Sequence, residues 1–102
     1  MKLNLGCGNS ILKGYVNVDI SSTAPNIVKK DIFDFISSIP NDTVSEAICF
    51  YLFEHLTYDE VDELLFQLSG RLEINGNIRI LVPDFSLLCG SYKLNICTIL
   101  IF

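Results

Sequence analysis

Basic residues are scarce in this sequence. Seven lysines and arginines stand against twelve acids, giving a formal net charge of −5 and a pI of about 4.5. That balance repels phosphate, so no nucleic-acid partner held by bulk electrostatics is expected. The four cysteines, at positions 7, 49, 89 and 97, include no C-x-x-C pair and no other metal-ligand or redox spacing. They read as free thiols in a reducing, cytoplasmic compartment, with no metal site. Residues 1–10 lack the basic start and apolar run of a signal peptide. The apolar end, residues 96–102, is far short of the roughly 20 residues a membrane helix needs. No membrane association is therefore expected. No repeat, low-complexity segment or linker divides the chain.

What is present is strongly apolar. Hydrophobic residues make up 50% and charged residues 19%, with a mean hydropathy of +0.44. That is too apolar for a solvated coil. The 102 residues suffice for one domain. A chain of this size can bury about two-thirds of its unfolded surface.

The chain alternates strand-like and connecting segments, which implies an α/β fold with a parallel sheet. Residues 2–5, 15–19, 26–30, 45–51 and 77–82 are the five strand candidates. Pro83 stops the last of them. One helix is well signalled. Thr57 and Glu60 fit a capping box, in which each side chain satisfies a backbone N–H near the other. Val61, Leu64, Leu65, Leu68 and Leu72 then recur at helical spacing and form one apolar stripe. The pair Asn75-Gly76 is expected to give a left-handed stop before the next strand. A shorter helix or turn is expected over Ile32–Ser38, ending before Pro40.

The most informative stretch is Gly6-Cys7-Gly8, directly after the first strand. Glycines there let the backbone turn sharply and approach a ligand with no Cβ in the way. Asp19 ends the next strand candidate. In a parallel sheet the two strand ends are neighbours at the carboxyl edge, where open α/β sheets bind ligands. A carboxylate there can accept from both hydroxyls of a ribose. A dinucleotide fingerprint wants a third glycine and an acid about 20 residues on. Here Ile11 holds the third position and the acid comes sooner, at Asp19. No G-x-x-x-x-G-K loop is present either. The loop suits a nucleoside ligand without a pyrophosphate.

These residues carry a resemblance. LNLGCGNSILKGYVNVDI, residues 3–20, resembles the opening of a class I S-adenosylmethionine-dependent methyltransferase, of the bacterial branch reading L-N-L-G-C-G and then N-V-D. Three further stretches agree in order and spacing: Lys30-Asp31-Ile32, Phe53-Glu54-His55-Leu56 and IRILVPDF at residues 78–85. The resemblance covers residues 2–86. It implies a Rossmann-like parallel sheet of order 3-2-1-4-5 with flanking helices, lacking the last two strands of the full fold. It implies S-adenosyl-L-methionine as cofactor and a small-molecule or glycan acceptor. Gly6, Cys7 and Gly8 would pass under the methionine part of the donor. Asp19 would hold the ribose hydroxyls, with Ile20 beside the adenine. Asp31 would accept from the adenine amino group, and Ile32 would offer a backbone N–H and an apolar face. Phe50 and Tyr51 would lie near the amino-acid end of the donor.

No catalytic residue is identified. Methyl transfer from a sulfonium needs a general base only if the acceptor must lose a proton. His55, the one histidine, beside Glu54, could serve, although setting up the helix entry is the simpler role. Asp84, just past the fifth strand, is expected on the acceptor side. No Asp/Asn-Pro-Pro-Tyr segment follows the fourth strand, which disfavours methylation of nucleic-acid amines. Residues 9–14, between Gly8 and Tyr15, are too few for an ordinary crossover helix. Two other readings stand beside the methyltransferase core: an inactive, truncated remnant that only binds the donor, and a nicotinamide-dinucleotide domain. Residues 1–102 are taken as a single partial domain, with residues 86–102 a divergent apolar tail. The Ile-rich end of that tail, residues 94–101, is expected to fold back and pair with the fifth strand, covering its edge.

Overall fold

The computed structural model describes residues 1–50, 52–82 and 97–101. Lys2–Leu5 (β1), Val16–Val18 (β2), Val44–Phe50 (β3) and Leu72–Val82 (β4) are parallel, in the order β2-β1-β3-β4. Cys97–Ile101 (β5) adds antiparallel to β4 at the edge. This is the Rossmann-like α/β sheet expected, with the tail strand in the place foreseen for it.

Strand alternation explains the core. Leu3, Leu5, Val18, Ala47, Cys49, Ile78 and Ile80 are buried on one face of the sheet. Two helices, Ile32–Ser38 (α1) and Tyr58–Arg71 (α2), bring Ile32, Phe35, Ile36, Leu64 and Leu68 onto it. Each such side chain stabilises the fold by about 1.5–3 kcal/mol on full burial. Val61 and Leu65 complete the α2 stripe as partly buried neighbours, whereas Leu72, expected on that stripe, is already the first residue of β4 and packs on the core from there. The capping box forms as expected. Glu60 N–H donates to Thr57 Oγ1 at 3.2 Å, and Thr57 N–H to Glu60 Oε1 at 2.9 Å. The Arg71 guanidinium, ending α2, donates to the Ile36 and Ile39 carbonyls at 3.1 and 3.0 Å. It thus pairs the Ile39 carbonyl and gives the Ile36 carbonyl, which also accepts the Ile39 N–H, a second donor at the end of α1.

Several boundaries differ from expectation. The third strand, over residues 26–30, is reduced to one parallel bridge between Val18 and Val28. Pro25 brings no N–H, Asn26 adopts φ +59°, and Asp31 already caps α1, so only Val28 is left to run beside β2. The second strand is shorter than residues 15–19. The strand beginning at Asn77 begins instead at Leu72, because the chain is extended directly after α2. Asn75 does take φ +66°, but inside β4 and not as a helix stop. Val44 pairs with Leu72 and Glu46 with Asn77, so Ser45 alone stands opposite residues 73–76. The left-handed residue therefore belongs to a bulge. Tyr51, Asp84 and residues 86–96 lie outside the described residues.

Candidate functional site

β1 ends where the chain must cross the end of β2. The Gly6 and Cys7 N–H groups both donate to the Val18 carbonyl, at 2.8 and 3.1 Å. Gly6 has φ +65° and Gly8 φ +55°. Both glycines suit this left-handed backbone, and their surroundings differ. A Cβ on Gly6 would sit 2.7 Å from Leu52 Cδ1, whereas a Cβ on Gly8 would enter open space. Gly6 admits a neighbour, and Gly8 leaves room above the turn.

Asp19 closes the turn from the β2 side. Its Oδ2 accepts the Gly8 N–H at 2.9 Å. Its Oδ1 accepts the N–H groups of Ser21 and Ser22, at 2.8 and 2.9 Å, and the Ser21 hydroxyl at 3.2 Å. Burial works to raise the Asp19 pKa, but the bonds from Gly8, Ser21 and Ser22 outweigh it. The carboxyl lies below its ordinary value and is ionised at neutral pH. The Cys7 thiol is pushed up by its burial and by the Asp19 charge, so it stays protonated. Burial pushes the Cys49 thiol up to about 12. Cys7 and Cys49 are both free thiols.

Two clefts flank the turn. One, of about 260 Å³, is lined by Gly6, Asp19, Ile20, Asp31 and Ile32 together with residues from the entry to α2. The other, of about 300 Å³, is lined by Gly6, Cys7, Gly8 and Phe50, with Asn4, Asn9, Ser10 and Leu12. The eight described residues of the expected donor site therefore line two clefts that share Gly6. Asp31 has a second duty. Its Oδ1 caps α1, accepting from the Phe33 and Asp34 N–H groups at 2.9 and 3.3 Å.

Sequence reasoning did not single out Leu52, Ser21 or Phe33, which also line the first cleft; it named Lys30 and Leu56 within motifs but gave them no site role, and read Glu60 only as a cap. His55 lines it too, on a single 3₁₀ turn, Phe53–His55, whose Phe53 is buried in the core. The capping-box pattern was a signal for Glu60: a helix start placed directly after a strand end puts its first turn at the carboxyl edge. Leu52 carries no local signal, since its partner Gly6 is remote in sequence.

No protein-family model matches the sequence, and no curated protein matches it. Among solved structures the chain is similar to a SAM-dependent methyltransferase from Archaeoglobus fulgidus, with a TM-score of 0.70 and 23% identity. The likeness covers 81% of this chain and 44% of that one. The chain thus spans less than half the length of that structure. The shared feature is the fold, a methyltransferase-like α/β sheet. No helix among the described residues is long and apolar enough to cross a membrane.

Proposed function

We propose that this chain binds S-adenosyl-L-methionine at the carboxyl edge of β1 and β2, and is the donor-binding core of a methyltransferase. The observation that carries the reading is the ionised Asp19 carboxylate, bonded to the Gly8 N–H at the junction of two clefts. The residues fit the donor. An ionised carboxylate has about four lone-pair sites. Oδ2 has one protein partner, so it retains capacity for a ribose hydroxyl, and the exposed Ser21 hydroxyl can give way at Oδ1. The space above Gly8 is open for the methionine part. The Asp31 cap uses the Phe33 and Asp34 N–H groups and leaves the Ile32 N–H for an adenine nitrogen. Exposed Ile20 supplies an apolar wall. Phe50, and Tyr51 after it, would lie toward the amino-acid end.

When bound, the donor supplies a methyl group already activated on a sulfonium. The chain then contributes proximity and orientation. The acceptor is proposed to be a small molecule or glycan and not a nucleic acid. The motif order favours the bacterial branch, and the free thiols Cys7 and Cys49 favour a cytoplasmic setting. A dinucleotide reading is disfavoured, because residues 9–15 form no helix whose N-terminus could receive a pyrophosphate.

Calorimetry of the chain against S-adenosylmethionine, S-adenosylhomocysteine and NAD tests the proposal. The first two are expected to bind and NAD is not. Asp19→Ala is expected to weaken binding by about 1.5–3 kcal/mol, the range for a charged hydrogen bond. Absence of binding by both sulfur ligands sinks the reading. Binding without methyl transfer to any small-molecule or glycan acceptor selects an inactive donor-binding remnant.

A further inference from the structure

The connection from β1 to β2 has no helix, yet it holds a defined course. Two buried asparagines account for this. Asn4 on β1 and Asn17 on β2 are register partners, exposed by only 4% and 6%. Asn4 Nδ2 donates to Asn17 Oδ1 at 2.8 Å and to the Ser10 carbonyl at 2.9 Å. Asn17 Oδ1 also accepts the Leu12 N–H at 3.0 Å, while Asn17 Nδ2 donates to the Leu12 carbonyl at 3.1 Å and the Tyr15 carbonyl at 3.2 Å. The Asn17 amide thus pairs reciprocally with Leu12, as a peptide group does in a strand ladder. The opposite amide orientation would set its oxygen against two carbonyls. Together the two side chains satisfy three carbonyls and one N–H of the connection. Buried polar groups left without such partners are costly, so the connection is held where these amides are.

The same connection lines the second cleft. Asn4, Ser10 and Leu12 line it together with Cys7 and Gly8. Ser10 N–H donates to the Cys7 carbonyl at 2.9 Å, so the grip on Ser10 passes directly into the glycine turn. We infer that Asn4 and Asn17 are positioning residues for the donor site: their paired amides replace a crossover helix and hold the Gly6–Gly8 turn in its binding geometry. This rests on the donor reading above for its functional half.

Two free thiols provide the readout. Cys7 lies in the turn, and Cys49 lies in β3 in the core. Both are buried, so each reacts with a thiol reagent only when its surroundings open. The full chain would be labelled with iodoacetamide, and Cys7 and Cys49 quantified separately by peptide mass spectrometry. Asn17→Asp replaces the donor Nδ2 by an oxygen facing the Leu12 and Tyr15 carbonyls. It is expected to speed Cys7 labelling by about tenfold or more, as loss of buried hydrogen bonds allows, with Cys49 unchanged. Asn4→Ala, which removes only the grip on Ser10 and Asn17, is expected to act in the same direction and more weakly. It serves as the test if Asn17→Asp does not fold. S-adenosylhomocysteine is expected to slow Cys7 labelling in the wild type and to bind either variant more weakly. Equal acceleration at Cys7 and Cys49, or none at either, overturns the inference, since the pair would then serve only overall stability or nothing. Selective loosening at Cys7 with unchanged S-adenosylhomocysteine affinity also overturns it. If the wild type does not bind S-adenosylhomocysteine, the donor reading fails, and the Cys7-to-Cys49 ratio alone decides whether the pair positions the turn.

Discussion

Two of the three crossovers that build the parallel sheet use opposite chemistry. Between β3 and β4 the chain runs through a 3₁₀ turn and the 14-residue helix α2, fixed by Leu64 and Leu68, both fully buried. Between β1 and β2 it runs through a helix-free loop, fixed by hydrogen bonds that the Asn4 and Asn17 amides make with its main chain and by the Gly8 N–H bond to Asp19. Apolar burial grows with area and is indifferent to direction. Hydrogen bonds demand defined distances and angles. The first crossover therefore supplies stability, and the second supplies geometry beside the clefts. Mutations on the two sides should differ in kind as well as size.

The largest effect is expected in α2. Leu68→Ala should lower stability by about 2–5 kcal/mol, the range for a buried leucine truncation that leaves a cavity. Urea unfolding measures it, and a loss below about 1 kcal/mol would remove α2 as the stabilising side of the contrast.

An intermediate effect is expected in the turn. Gly6→Ala puts a Cβ on a left-handed residue, at about 1–2 kcal/mol, and against Leu52. Leu52→Ala in the same protein should relieve the contact and leave the backbone term. A double-mutant cycle separates the two. Complete rescue by Leu52→Ala would show that contact, and not φ, makes glycine necessary there.

The smallest effect is one of pH. The folded pKa of Asp19 lies below its ordinary value of 3.8. The unfolded chain therefore binds that proton more readily, so the contribution of Asp19 is fully present above about pH 4 and is lost as pH falls through the folded value. The melting-temperature gap between wild type and Asp19→Asn should be widest near neutrality and close in acid. A gap that stays constant with pH would mean that the loop N–H groups do not depend on the Asp19 charge.

Features carried by neighbours in sequence were legible. The Thr57–Glu60 cap and the α2 stripe are local patterns, and the glycine turn with Asp19 follows from two strands with a short link. Features that depend on remote pairs were not. Leu52 against Gly6 and Asn4 against Asn17 exist only once β1, β2 and β3 are side by side. Segment 26–30 read as a strand by composition, but the turn at Asn26 and the cap at Asp31 took its ends. Asn75-Gly76 was correctly read as a turning point and wrongly attached to the helix.

The amide clasp has a consequence for how this chain can vary. Asn4 and Asn17 grip Ser10, Leu12 and Tyr15 through their main-chain atoms alone. Every residue type but proline offers the same carbonyl and N–H, so the side chains at Ile11 and Lys13, both exposed, are free to drift. The count of residues is not free, because one insertion would move every carbonyl off its amide. The connection stores its information as length, and two asparagines outside it read that length.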